Sequence, residues 1–179
     1  MHGIVSLLDD QHTEFVEKLW AEMAQRFGVG NPAATFVPHF SYHVAEAYDL
    51  DRLAGILERL AKETAVFPIQ AAGIAIFPGA ESVIYVPVAR SLALTQLHER
   101  VWTAVNPHSQ GSIPYYAPAV WFPHITLAHG DITPENLGPI VTWLHTQSIA
   151  WTIQVDNLAL VAEGNGRHQI NHRFPFSQK

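Results

Sequence analysis

The feature that most constrains this chain is a five-residue stretch used twice, Pro38-His39-Phe40-Ser41-Tyr42 and Pro123-His124-Ile125-Thr126-Leu127, close to half a chain apart. Side chains alternate between the two faces of a β-strand. His39 and Ser41 therefore share a face, with Phe40 and Tyr42 opposite, and His124 and Thr126 share a face, with Ile125 and Leu127 opposite. Each copy reads as a strand with an apolar side for a core and an imidazole-plus-hydroxyl side for something polar. The pattern by itself is weak, because a chain with eleven histidines produces His-x-Ser/Thr once or so by chance. Pro107-His108-Ser109-Gln110 shows that Pro-His also occurs without it. The weight comes from placement.

Both copies occupy the strand before the second helix of their half. In the first half, residues 2–8 read as a strand, and Asp9 or Asp10 can cap a helix carrying Phe15, Leu19, Met23 and Phe27. Gly28-Val29-Gly30-Asn31-Pro32 ends that helix. After the His39 strand, Asp49 caps a helix with Leu50, Leu53, Ile56, Leu57 and Leu60 on one side. Strands at about 67–77 and 82–88 follow, and the turn Phe77-Pro78-Gly79-Ala80 between them predicts an antiparallel pair.

In the second half, Ser91 opens a helix with Leu94, Leu97, Val101 and Val105, and a loop through Pro107, Gly111, Pro114 and Pro118 leads to the His124 strand. Thr133-Pro134-Glu135 starts a helix carrying Leu137, Ile140, Val141 and Leu144. Strands at about 150–162 and 167–175 flank Glu163-Gly164-Asn165-Gly166. The order repeats although the sequences have diverged. The expectation is one α+β domain over 1–179, bilobal, with lobes roughly from interleaved halves 1–90 and 91–179. An approximate two-fold between them sets the histidine strands face to face across a cleft.

Composition narrows the partners. Sixteen acidic against ten basic side chains give a formal charge of −6, which argues against coating long duplex nucleic acid but not against a pocket for one phosphate. With no cysteine, disulfides and cysteine-based metal or nucleophile sites are excluded. No stretch has the length a membrane span needs, and the N-terminus lacks the basic region of a signal peptide. A cytoplasmic monomer is expected.

Paired histidines suit one task well. Imidazole titrates near pH ~6.5, so a pair can hold one neutral base and one charged acid together. Transesterification or hydrolysis at phosphorus needs both, a base for the attacking oxygen and an acid for the leaving one. Ser41 and Thr126, two residues along, can donate hydrogen bonds to the non-bridging phosphate oxygens, where charge grows.

The two motifs, with the context Tyr115-Tyr116-Ala117-Pro118-Ala119-Val120-Trp121-Phe122-Pro123-His124, resemble the paired His-x-Thr/Ser motifs of the two-histidine phosphoesterase superfamily. Within it the chain most resembles the 2'-5' RNA ligase-like and cyclic phosphodiesterase branch. The resemblance implies two antiparallel sheets around a central cleft with helices outside. It implies chemistry without metal or cofactor on 2',3'-cyclic phosphates of nucleotides or RNA ends, or on 2'-5' linkages, and possible reversible ligation. By motif position His39 and His124 are the acid/base pair and Ser41 and Thr126 the phosphate contacts. Ser41 stands where Thr is commoner, which keeps the donor but frees its rotamer.

Among aromatics, Tyr115, Tyr116 and Trp121 are candidates for stacking on a base, Tyr116 and Trp121 as substrate-binding residues. His43 continues the polar face or sits solvated in a loop. Arg90, Arg167 and Arg173 are candidate phosphate charges, with solvent exposure the simpler reading, and His168 and His172 read as partly buried structural groups. His12, His98, His129 and His145 show no partner spacing. Two other readings stay open: a histidine metal-site hydrolase, although neither motif supplies the third ligand such sites use, and a non-catalytic nucleotide- or RNA-binding module with the same cleft.

Overall fold

The computed structural model describes residues 1–30, 37–79, 81–164 and 167–177, without the side chains of 163–168. In chain order the elements are β1 (His2–Leu7), α1 (Asp10–Phe27), β2 (His39–Ala45), β3 (Ala47–Tyr48), α2 (Leu50–Lys62), β4 (Phe67–Ala72), β5 (Ala75–Phe77), β6 (Val83–Pro87), α3 (Leu92–Val105), β7 (Ser109–Gln110), β8 (His124–His129), α4 (Pro134–His145), β9 (Ala150–Val155), β10 (Asn157–Gly164) and β11 (Arg167–Pro175).

Local chemistry sets the helix ends as the sequence predicts. Asp9, Asp49, Ser91 and Thr133 each accept a backbone N–H at the start of α1 to α4, and Thr133 with Asn136 completes a reciprocal capping box. Gly28 ends α1 at φ 68, in the left-handed region that glycine adopts without cost. The predicted stripe of α3 is fully buried; on α2 Leu50 departs from its stripe, 49% exposed at the first helical position.

Besides a short ribbon of β3 paired with β7, the strands form two antiparallel systems. One runs β11-β10-β1-β2. In the other, β8 pairs with β6 and β6 with β5, while β4 pairs with β9 and meets β6 through an Ala71–Val88 bridge. The chain bends between β4 and β5 at Gly73, φ 74. The segment expected as one strand at 150–162 is two, β9 in the second system and β10 in the first. Asn157 marks the crossing: its side chain accepts from Leu7 N–H at 3.0 Å and donates to Leu7 C=O at 3.0 Å. The amide thus serves the backbone of β1 where its ladder with β10 has ended at Val5.

Helices α2 and α3 back the first system and α1 and α4 the second, so helices and strands of both sequence halves serve each. One continuous apolar core joins them, including Phe40, Tyr42, Ile125 and Leu127. The two histidine strands, β2 and β8, are the facing edges and approach each other closely.

A bulge occurs at matching points of both histidine strands. On β2, Ser41 pairs with Val5 and His43 with Ile4, so Tyr42 is the extra residue. On β8, Thr126 pairs with Tyr85 and Ala128 with Ile84, so Leu127 is extra. An extra residue reverses the alternation beyond it. Tyr42 and His43 both point into the core, as do Leu127 and Ala128. His43 is therefore neither solvated nor in the cleft: it is fully buried, 2.8 Å from the Tyr48 hydroxyl and 3.2 Å from Asn106 Oδ1. A third irregularity, between Leu160 and Val161, shifts the edge strand β11. His172 and Ile170 on it are exposed rather than partly buried, with His172 against Phe174.

Candidate active site

Between the facing edges lies a cavity of about 490 Å³, within the range of small-molecule sites. His39, Ser41, His124, Thr126 and Tyr116 all line it. The strand alternation delivers the two histidines and two hydroxyl residues there, since the intervening Phe40 and Ile125 anchor the opposite faces in the core at 1% and 0% exposure.

The imidazoles are held alike. His39 Nδ1 lies 2.6 Å from the Val37 carbonyl and His124 Nδ1 2.8 Å from the Phe122 carbonyl, each two residues upstream. A carbonyl only accepts, so Nδ1 carries the proton and donates it, which makes Nε2 the nitrogen that gains or loses a proton in each ring. Burial pushes His124 below the usual imidazole range, partly opposed by its bond to Phe122.

The hydroxyl residues are held alike too. Trp121 Nε1 donates to Ser41 C=O at 2.8 Å, and Trp20 Nε1 to Thr126 C=O at 3.3 Å. An indole thus fixes the backbone beneath each hydroxyl. The Ser41 side chain is in addition hydrogen-bonded to the Tyr116 phenol, whose pKa burial raises.

Trp121 corrects the expectation that it contacts substrate. It is 1% exposed, stacked on His98 at 3.8 Å and 3°, and its role is under Ser41 rather than in the cleft. His98, also buried, sits with Nε2 3.1 Å from Tyr42 C=O and 3.0 Å from Tyr116 C=O, and burial lowers its pKa to about 4. Arg90 does not face the cavity either; it bonds the carbonyls of Trp121 and Pro118 at 3.1 and 3.3 Å, tying down the loop before β8. Arg173 pairs with Asp156 at 3.1 Å. The side chains of Arg167 and His168 lie outside the described residues.

Further cavity residues escaped the sequence reading, among them Trp20, His129, Val44 and His2. Trp20 lies on α1 outside the stripe of Phe15, Leu19, Met23 and Phe27 that the spacing picks out. His129 follows the β8 bulge and so returns to the cleft face, with Nε2 3.7 Å from Glu81, and Val44 occupies the matching place on β2. His2, at the start of β1, completes a wall of four imidazoles. Among the described residues lining the cavity there is no Asp, Glu, Lys or Arg. Nor do three His, Asp or Glu side chains converge as a metal site among the described residues. A larger open groove of about 970 Å³ runs along α3 and the C-terminal end of α2, and on it Arg100 pairs with Glu63 at 2.8 Å.

The model of the 2'-5' RNA ligase superfamily matches residues 8–167. The chain belongs to that superfamily. Its fold is similar to TT0787 of Thermus thermophilus (TM-score 0.69, 17% identity, covering 99% of this chain and 98% of that one). It is also similar to E. coli LigT complexed with 3'-AMP (TM-score 0.58, 16% identity, 99% and 98% covered) and to LigT complexed with NADP+ (TM-score 0.56, 12% identity, 99% and 97% covered). No curated protein sequence matches the chain. Among the described residues no helix is long and apolar enough to cross a membrane.

Proposed function

We propose that the chain is a phosphoesterase that opens 2',3'-cyclic phosphates of nucleotides or RNA ends by a two-histidine acid/base mechanism. The observation that carries the reading is the matched pair: two imidazoles, each with Nδ1 tied to its own strand, and two hydroxyls two residues along, on one cavity. Membership of the superfamily and a likeness to a protein complexed with 3'-AMP agree with a nucleotide substrate.

In the proposed step the phosphate lies between the rings, with Ser41 and Thr126 donating to its non-bridging oxygens. His124, whose pKa burial lowers, is assigned as base. Its Nε2 takes a proton from water as the water oxygen bonds to phosphorus. The bond from phosphorus to the ribose 3' oxygen breaks, and His39, as imidazolium, gives that oxygen its Nε2 proton. A 2'-phosphate remains. With an RNA 5'-hydroxyl in place of water, the same pair in the same roles joins a 2'-5' linkage. Each acid/base role contributes about 10²–10⁴-fold in rate.

Hydrolysis of nucleoside 2',3'-cyclic phosphates, followed by phosphorus NMR, tests the reading. It expects a 2'-phosphate product, unaffected by a chelator. Binding without turnover would instead support a nucleotide-binding module.

A further inference from the structure

We propose that Tyr116 is a positioning residue whose phenol holds the Ser41 hydroxyl in the rotamer that donates to the phosphate, an inference that rests on the phosphoesterase reading. The two motifs are chemically unequal at this point. A β-branched side chain is stiff at χ1, so Thr126 carries its own restraint, whereas Ser41 has the staggered wells open to it. A hydroxyl has a single proton to give. Ser41 serves the phosphate only in a rotamer that aims this proton into the cleft.

The fold brings a phenol to that hydroxyl and fixes it there. Tyr116 closes a 3-10 turn, Pro114–Tyr116, in the segment before β8. That segment is docked on β2 at successive points. Ile113 N–H, at the start of the turn, donates to Val44 C=O at 2.9 Å. His98 Nε2 lies 3.1 Å from Tyr42 C=O and 3.0 Å from Tyr116 C=O, so it carries the proton and ties the turn to the strand. Trp121 Nε1 donates to Ser41 C=O at 2.8 Å. The anchors fall on Ser41, Tyr42 and Val44, and ring and hydroxyl are therefore set by one stretch of backbone. There the phenol is hydrogen-bonded to the Ser41 side chain, and both residues line the cavity. Burial raises the Tyr116 pKa, so the phenol keeps its proton through the neutral range and can donate it. By donating, Tyr116 fills a lone pair of Ser41 Oγ and leaves the serine proton for the phosphate. The links of such a chain strengthen one another.

The test is a double-mutant cycle on adenosine 2',3'-cyclic phosphate, with Tyr116→Phe made in wild type, in Ser41→Ala and in Ser41→Thr. Tyr116→Phe keeps the ring and removes only the donor, and melting curves confirm folding. In wild type it should lower kcat by roughly 3- to 10-fold with KM changed less, because the Ser41 proton matters most as charge grows on the phosphate oxygens. In Ser41→Ala it should cost less than about 2-fold, since the group it acts through is gone. In Ser41→Thr the loss should shrink likewise, because the β-methyl supplies the restraint. A loss of wild-type size in either Ser41 variant overturns the proposal, since the phenol would then act on substrate or fold directly. No loss in wild type overturns it as well. If wild type opens no cyclic phosphate, the phosphoesterase reading falls and takes the positioning role with it.

Discussion

At the scale of single residues, equivalent atoms in the two motifs have equivalent partners. Each histidine gives its Nδ1 proton to the carbonyl two residues back, and each hydroxyl residue has its own carbonyl held by an indole. Replacing His39 or His124 with Ala should cut kcat by about 10²-fold or more. The melting temperature should stay nearly constant, because both rings face the cavity; a large drop in both variants would mean that they act as structural groups. The rate should be bell-shaped in pH. Burial lowers the His124 pKa, so the acid limb should fall below about 6.5, the ordinary imidazole value. A flat profile would contradict the acid/base pair. His39, Ser41, His124 and Thr126 were legible in the sequence because period-two alternation alone puts them on one face. Trp121 was not, since an aromatic beside a motif reads the same whether it stacks on ligand or holds a carbonyl from behind.

At the scale of elements, what the sequence hid is mostly the work of one extra residue. The bulges at Tyr42 and Leu127 turn His43 inward and bring Val44 and His129 to the cleft. No local residue pattern announces them, because both members of each inward pair are tolerable in a core. The join between β9 and β10 was equally silent: both sides of it read as strand, and Asn157 marks the change of sheet only through its contacts to Leu7. Asn157→Ala leaves the Leu7 N–H and C=O without those buried partners. It should cost about 2–4 kcal/mol in urea unfolding. A loss below about 0.5 kcal/mol would show that the sheet crossing does not depend on the amide.

At the scale of the whole molecule, helix caps and hydrophobic stripes made the order of the four helices readable, while the division of 67–77 and 150–162 into two strands each, and the exchange of helices and strands between the two sheets, were not. That exchange depends on long-range pairing, such as β1 with β10, which no window of sequence contains. Buried His98 gives the folded molecule a particular pH response. Its folded pKa, about 4, lies below the unfolded value near 6.5, so the unfolded chain binds the proton more readily between those limits. Stability is full above pH ~6.5 and is lost as pH falls toward 4, on the order of 2 kcal/mol from this group. His98→Gln, which keeps a donor but does not titrate, should lose less between pH 7.5 and 4.5. Equal losses would remove His98 from that response.

The central claim concerns two imidazoles acting on one phosphorus, and the most direct measurement is turnover of adenosine 2',3'-cyclic phosphate by chelator-treated wild type, His39→Ala and His124→Ala side by side. Conversion to adenosine 2'-phosphate by wild type, with loss in both variants, is the expected result. No conversion by wild type, or wild-type rates in either variant, would contradict it.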